Sequence, residues 1–177
     1  MYKVPGVMLL LSLTTPVGAQ TLEQLLTEPD LTPKRFARHF TEFSHEFHRQ
    51  VQPAEQFLAS RRGDCDDYAV LADLVLRRHG YSTRLIHVRL ASRTAHAVCY
   101  VNGEGVYLDY NNRHYFFKLQ RSGGRIREVA TRVAAALEAH WTSASEFTYD
   151  YPSDRKRIVH TVVKTAPPDR DPDYTHE

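Results

Sequence analysis

Two hydrophobic periods divide this chain at Gly80. Before that glycine, apolar residues recur three and four positions apart, which is the spacing of an amphipathic helix. After it, apolar and polar residues alternate, as they do along half-buried strands. The first half should therefore be helical and the second half a sheet. Thr21 to Thr27 predicts a short helix that stops before Pro29. Thr32-Pro33 has the cap-then-proline form of a helix start, and the spacing of Phe36, Phe40, Phe43 and Phe47 extends that second helix to about Gln50 as a core-facing stripe. A third helix should run from Cys65 to about His79. Asp64 stands at its N-cap, Asp67 three residues on completes a capping box, and Gly80 closes it. Ala69 to Leu76 leave this helix little polar surface, which marks it as the buried centre of the fold.

Beyond Gly80, Thr83 to Leu90, Ala95 to Val101, Glu104 to Tyr110 and His114 to Leu119 predict four strands. An Ala-rich helix from about Ile126 to Trp141 follows, and then weak strands at Glu146 to Tyr149 and Arg157 to Val163. No repeat or long linker splits the pattern.

Length and composition add a boundary. The 177 residues, 42% hydrophobic, can build one core and not two, and the near balance of 23 basic and 21 acidic residues advertises neither nucleic acid nor a disordered acidic tail. Residues 1–19 differ from the rest. Lys3 is their only charge, Val7 to Leu13 is too short to span a bilayer, and Val17-Gly18-Ala19 has the form of a signal-peptidase site. The expected organisation is a signal peptide over 1–19, one domain over 20–165 and a loose Pro-rich tail over 166–177. That places the mature chain outside the cytoplasm, periplasmic or secreted, as a monomer without stable membrane insertion.

An oxidising destination raises the question of a bridge between Cys65 and Cys99, the two cysteines. Their local chemistry differs. A thiol in the first turn of a helix meets unpaired N–H groups and the positive end of the helix dipole, both of which favour thiolate. Asp64, Asp66 and Asp67 oppose this, so Cys65 needs a compensating cation: an imidazolium, a divalent ion or both. A hairpin supplies the imidazole. Asn102-Gly103 predicts a two-residue turn in which His96 and Asp109 face each other across the strands. A loop spanning Asn102 to Gly105 would instead make them diagonal neighbours on one face. Strand alternation turns Cys99 away from His96, so Cys99 reads as a small core residue. His45 and His48 sit one helical turn apart with no third metal ligand in view, and they read as polar neighbours of the phenylalanine stripe; His87 and His114 are ordinary strand histidines. Tyr107, Tyr110, Tyr115, Phe116 and Phe117 read as sheet core whose outer members could line a groove.

Gly63-Asp64-Cys65-Asp66-Asp67-Tyr68-Ala69, Leu74-Val75-Leu76-Arg77 with Gly80, His96-Ala97-Val98 and Leu108-Asp109 together resemble the transglutaminase-like superfamily, closest to its bacterial transglutaminase-like cysteine proteinases. The resemblance spans roughly residues 61 to 116. It implies an α+β, papain-like fold: N-terminal helices, and a central Cys-bearing helix packed on an antiparallel sheet. It also implies Cys65 as nucleophile, His96 as base and then acid, and Asp109 as the orienting group. Val98 stands where many animal-type transglutaminases carry an aromatic residue, which favours the hydrolytic branch. Some members of that branch are periplasmic and bind calcium through acidic residues flanking the cysteine, which points to Asp64 and Asp66 as candidate calcium ligands. The chemistry itself requires no cofactor. The expected activity is that of a cysteine peptidase or amidase acting on a protein or peptide substrate through an acyl-enzyme, with the Cys65 N–H and an upstream donor, Gln56 by position, as the oxyanion hole. A protein-glutamine transamidase and a non-catalytic exported binding module that keeps the fold are the alternatives.

Overall fold

A computed structural model of the chain describes residues 20–92 and 94–164. The expected signal segment and C-terminal tail lie outside the described residues. Five helices are present among them: α1 Leu22–Thr27, α2 Pro33–Arg38, α3 Ala54–Ser60, α4 Cys65–Arg78 and α5 Ile126–Ala136. Eight strands accompany them: β1 Ser44–His45, β2 Arg62–Gly63, β3 Thr83–Leu90, β4 Ala95–Val101, β5 Val106–Leu108, β6 Gln120–Arg121, β7 Trp141–Asp150 and β8 Arg155–Val163. The first two form a small parallel pair. The other six make one antiparallel sheet in the order β6-β5-β4-β3-β7-β8.

Alternation along the strands gives the sheet two apolar faces, and a helix covers each. Leu85, Ala97, Cys99, Val101 and Phe147 pack with α4 and the N-terminal helices. Ile86, Val88, Val98, Tyr100 and Tyr107 pack with Val129, Ala130 and Val133 of α5. The central strands β3 and β4 are therefore buried on both sides, which explains why their sequence is so apolar. The α+β architecture expected from the pattern is the one observed.

Four local expectations fail, each for a physical reason. The second helix stops at Arg38 and does not reach Gln50. The chain turns so that Ser44 N–H donates to Arg61 O at 3.0 Å and Glu46 N–H to Gly63 O at 2.8 Å, while the Phe43 and Ser44 carbonyls accept from Arg113 and Tyr110. A continued helix would forfeit all of these bonds. Phe36, Phe40 and Phe43 still reach the core, but Phe47 is 77% exposed, and His45 and His48 lie in extended chain. Secondly, the expected strand at His114 to Leu119 is replaced by a 3-10 turn, Tyr110–Tyr115, capped by the Asp109 carboxylate; Tyr107 and Tyr110 are buried while Tyr115 and Phe117 are exposed. The fifth helix ends five residues short of Trp141, which begins β7 and donates its indole N–H to Thr131.

Lastly, the hairpin takes the longer loop. Val101 pairs with Val106 and Cys99 with Leu108, leaving Asn102 to Gly105 as the connection. Gly103 and Gly105 both adopt left-handed φ, at 80° and 63°, and Gly105 O accepts from Ser122 N–H, which continues the β5–β6 pairing. Extending that register by one residue places Asp109 opposite Val98, diagonal to His96.

The corrected stripe has a measurable consequence. Phe40, fully buried among Phe36, Phe43, Phe57 and Tyr68, should cost about 3–5 kcal/mol when replaced by alanine in urea unfolding. Phe47→Ser should stay within about 0.5 kcal/mol; comparable losses would show that Phe47 belongs to the core.

Candidate active site

The site starts with how α4 begins. The Asp64 Oδ1 accepts from the N–H groups of Asp66 at 3.0 Å and Asp67 at 3.5 Å, and the Asp67 Oδ2 accepts from Asp64 N–H at 3.0 Å. This reciprocal cap matches the expected capping box. It uses the N–H groups of Asp66 and Asp67 and leaves that of Cys65 outside the cap. Gln52 reinforces it, with its backbone N–H donating to Asp67 Oδ1 at 2.7 Å and its side-chain amide to Asp67 Oδ2 at 2.8 Å and Arg62 O at 2.9 Å. Burial holds the Asp67 carboxyl above its usual range, opposed by these bonds from Gln52. Gly63 precedes the cap, where a Cβ would lie 2.6 Å from both the Asp67 carboxylate and the Phe57 ring. That close approach explains the glycine.

His96 is near the start of β4, and its Nε2 lies 2.8 Å from Asp109 Oδ1, with both side chains buried. The same oxygen accepts from Asn111 N–H at 2.9 Å, so the carboxylate that caps the 3-10 turn also holds the imidazole. Cys65 is the other site residue near enough to act on the ring. With Nε2 committed to Asp109, Nδ1 is the nitrogen left for other partners. Burial alone would depress the His96 imidazolium, but its interactions with Asp109 and then with Cys65 overcome it and push its pKa up to about 10. His87 on β3 behaves in the opposite way. Burial, with Lys156, Arg89 and His96 as positive neighbours, lowers it to about 4.

His96 and Asp109 thus pair from a strand start and a strand end, and Cys65 at the helix start is near enough to act on the imidazole. Cys65 and Cys99 are both free thiols. The expected alternation holds along β4, with Ala97, Cys99 and Val101 in the α4-side core, which Cys65 also touches, and Val98 and Tyr100 in the other. Cys99 is fully buried within the influence of Asp73 and Arg77. Burial pushes the Cys99 thiol up, which suits an inert core residue.

The remaining candidates separate in the same way. Gln56 is exposed on α3, and the buried glutamine beside the cap is Gln52, both of whose amide protons are already committed. His48 touches the site through its backbone, its N–H donating to Asp64 Oδ2 at 2.9 Å. Asp64 therefore meets three N–H groups, while Asp66 Oδ1 is buried without a hydrogen-bond partner among the described residues and faces Lys156 Nζ at 4.0 Å. Asp64 and Asp66 are the two carboxylates on this flank, one of them occupied by backbone donors, so most of the six to eight oxygens that calcium takes would come from backbone carbonyls and water. Among the described residues no three His, Cys, Asp or Glu side chains converge on a metal position. A cleft of about 610 Å³ between Leu22, Val51, Leu74, Tyr149 and Tyr151 contains none of the three site residues. Gln52 and Lys156 carried no signal in the sequence, being 15 and 90 residues from the groups they meet.

Comparison with known proteins agrees with this architecture. The family model described as the transglutaminase-like superfamily matches residues 27–165. No curated protein matches the chain. Calcium-bound LapG of Legionella pneumophila is similar at 15% identity and a TM-score of 0.47, over 70% of this chain and 68% of that one. A second LapG structure from the same organism gives 15% identity and a TM-score of 0.48, over 75% and 76%. A protein of Cytophaga hutchinsonii described as a suspected cysteine protease gives 17% identity and a TM-score of 0.37, over 85% of this chain and 50% of that one.

The raised His96 has a signed consequence for stability. Its folded value, about 10, lies above the ordinary 6.5. The interaction with Asp109 therefore stabilises in full below about pH 6.5 and fades as pH rises towards 10. Asp109→Asn should cost more stability near pH 6 than near pH 10 in urea unfolding, and a cost independent of pH would remove the charged pair.

Proposed function

The chain belongs to the transglutaminase-like superfamily, and on that footing we propose that it is an exported thiol hydrolase, a cysteine peptidase or amidase that cleaves peptide or side-chain amide bonds through Cys65, His96 and Asp109. The observation that carries this reading is the buried His96, held by Asp109 at 2.8 Å through one nitrogen and raised by its interactions with Asp109 and Cys65. A histidine with a raised pKa beside a thiol at a helix start favours the thiolate-imidazolium form, which is the nucleophilic one.

The reaction proceeds in two halves. The Cys65 thiolate attacks the carbonyl carbon, and the oxygen of the tetrahedral intermediate takes up the negative charge near the Cys65 N–H, which the cap leaves available. His96 Nδ1 gives its proton to the departing amine as the C–N bond breaks, leaving a thioester on Cys65. Water then attacks the thioester, His96 accepts its proton, and the C–S bond breaks to release the acid and restore the thiolate. Asp109 fixes the ring and stabilises its charge throughout. The nucleophile, the base and the orienting group in this scheme are all side chains of the protein, and the chemistry itself requires no cofactor.

Export follows from the signal-like character of residues 1–19, and no helix among the described residues is long and apolar enough to cross a membrane. The substrate is then a protein or peptide met outside the cytoplasm by a monomeric enzyme. A transamidase would follow the same first half and replace water with a primary amine.

Substitution separates the two thiols. Cys65→Ala should abolish turnover and Cys99→Ala should leave it nearly intact, measured on exported proteins whose cleavage products are followed by mass spectrometry; equal effects would overturn the assignment. Adding a primary amine to the same assay should yield hydrolysis products without amine incorporation, and incorporation would move the protein to the transamidase reading. A purified protein whose Cys65 takes up no thiol-directed electrophile would be a binding module.

A further inference from the structure

Three acidic groups surround Cys65, and two of them are already engaged. Asp64 accepts three backbone N–H groups, and Asp67 is bonded by Gln52 and by Asp64 N–H. Asp66 is the remaining one. Its Oδ1 is buried with no hydrogen-bond donor among the described residues, and burial, with the neighbouring Asp64 charge, holds its carboxyl above the usual range. The cation that faces it comes from the far edge of the sheet. Lys156 on β8 places its Nζ 4.0 Å from Asp66 Oδ1 and 4.0 Å above the centre of the Phe147 ring, whose negative face holds the ammonium there.

We propose that Lys156 is a positioning residue for the reaction, supplying in place of a divalent ion the fixed positive charge that balances Asp66 on the acidic flank of Cys65. This rests on the reading of Cys65 as the nucleophile. An uncompensated Asp66 carboxylate would repel the thiolate one residue away, and an ammonium anchored on an aromatic face removes that repulsion without a bound metal. The other charged or titratable groups around this flank are Asp64 and Asp67 at the α4 cap, His96 on β4, and His87 and Arg89 on β3. His87 is held neutral by burial and by Lys156, Arg89 and His96, so Lys156 and His96 are the two cations that lower the cost of ionised Asp66. Calcium suits the same place poorly. Asp66 and the remaining lone pairs of Asp64 provide too few oxygens, and the ammonium already stands where a second cation would be repelled.

The test uses the full chain and iodoacetamide, with the alkylation rate of Cys65 read near neutral pH. Lys156→Met should slow alkylation about tenfold, and Lys156→Arg should keep it within about twofold. The double variant Lys156→Met/Asp66→Asn should recover most of the loss, because removing both charges leaves nothing unbalanced. Millimolar calcium chloride and EGTA should leave the wild-type rate and melting temperature unchanged. A Lys156→Met protein that reacts at the wild-type rate overturns the proposal. So does a calcium-induced rise in the melting temperature that Asp66→Asn abolishes, a readout that holds even if Lys156→Met does not fold. Failure of the underlying reading looks different: wild-type Cys65 would then react no faster than free cysteine, whereas an activated Cys65 indifferent to Lys156 removes only this proposal.

Discussion

The reciprocal cap between Asp64 and Asp67 is the constraint on which the rest of the structure depends. It sets where α4 starts, and so where the Cys65 sulfur sits relative to the sheet. The bonds that hold it come from three other segments. His48 N–H reaches Asp64, Gln52 clamps Asp67, and the β1–β2 pair brings residues 44–46 alongside Gly63. A helix start exposes unpaired N–H groups whatever its sequence. Here the cap satisfies those of Asp66 and Asp67 and leaves that of Cys65 for other use, so one local device both ends the loop and prepares the thiol's surroundings.

The same economy governs Asp109. Its Oδ1 accepts the Asn111 N–H that begins the 3-10 turn and also faces His96 Nε2. Because the carboxylate is tied to its own backbone, the imidazole it holds cannot swing freely. Orientation of His96 thus rests on the hairpin register and on the turn that ends β5, and neither involves Cys65. The helix and the hairpin are built separately and meet only where α4 packs on β4, through Ala69, Ala72 and Leu76 against Ala97, Cys99 and Val101. Packing of that core keeps the thiol within reach of the ring.

Charge at the site is a balance between acidic helix-start residues and two cations of unequal origin. His96 belongs to the central sheet and is raised by its partners despite burial. Lys156 belongs to the edge strand β8, whose side chains are otherwise mostly exposed. Its ammonium is steadied by Phe147, a buried residue of β7. The outermost hairpin of the sheet therefore contributes to the electrostatics of the innermost helix, a link that follows from the antiparallel order β3-β7-β8.

Residues 61 to 80 declared their own structure, because a capping box, a Gly on each side and an apolar helix are local properties that survive in any fold containing them. The two-residue period of β3 and β4 likewise announced a sheet, and with it the shared face of His96 and Asp109. Other features depended on partners far along the chain. Whether Phe47 continued a helix was decided by the bonds of residues 43–46 to Arg61, Gly63, Tyr110 and Arg113; whether the hairpin loop had two or four residues was decided by Ser122 pairing with Gly105. The charges opposing Asp66 were set by the packing of β4 and β8 beside the helix start. The sequence by itself determined the elements whose hydrogen bonds close within a few residues; tertiary structure alone decided those in which backbone groups or buried charges had to find partners tens of residues away, since an unpaired buried group costs more than the local preference it overrides.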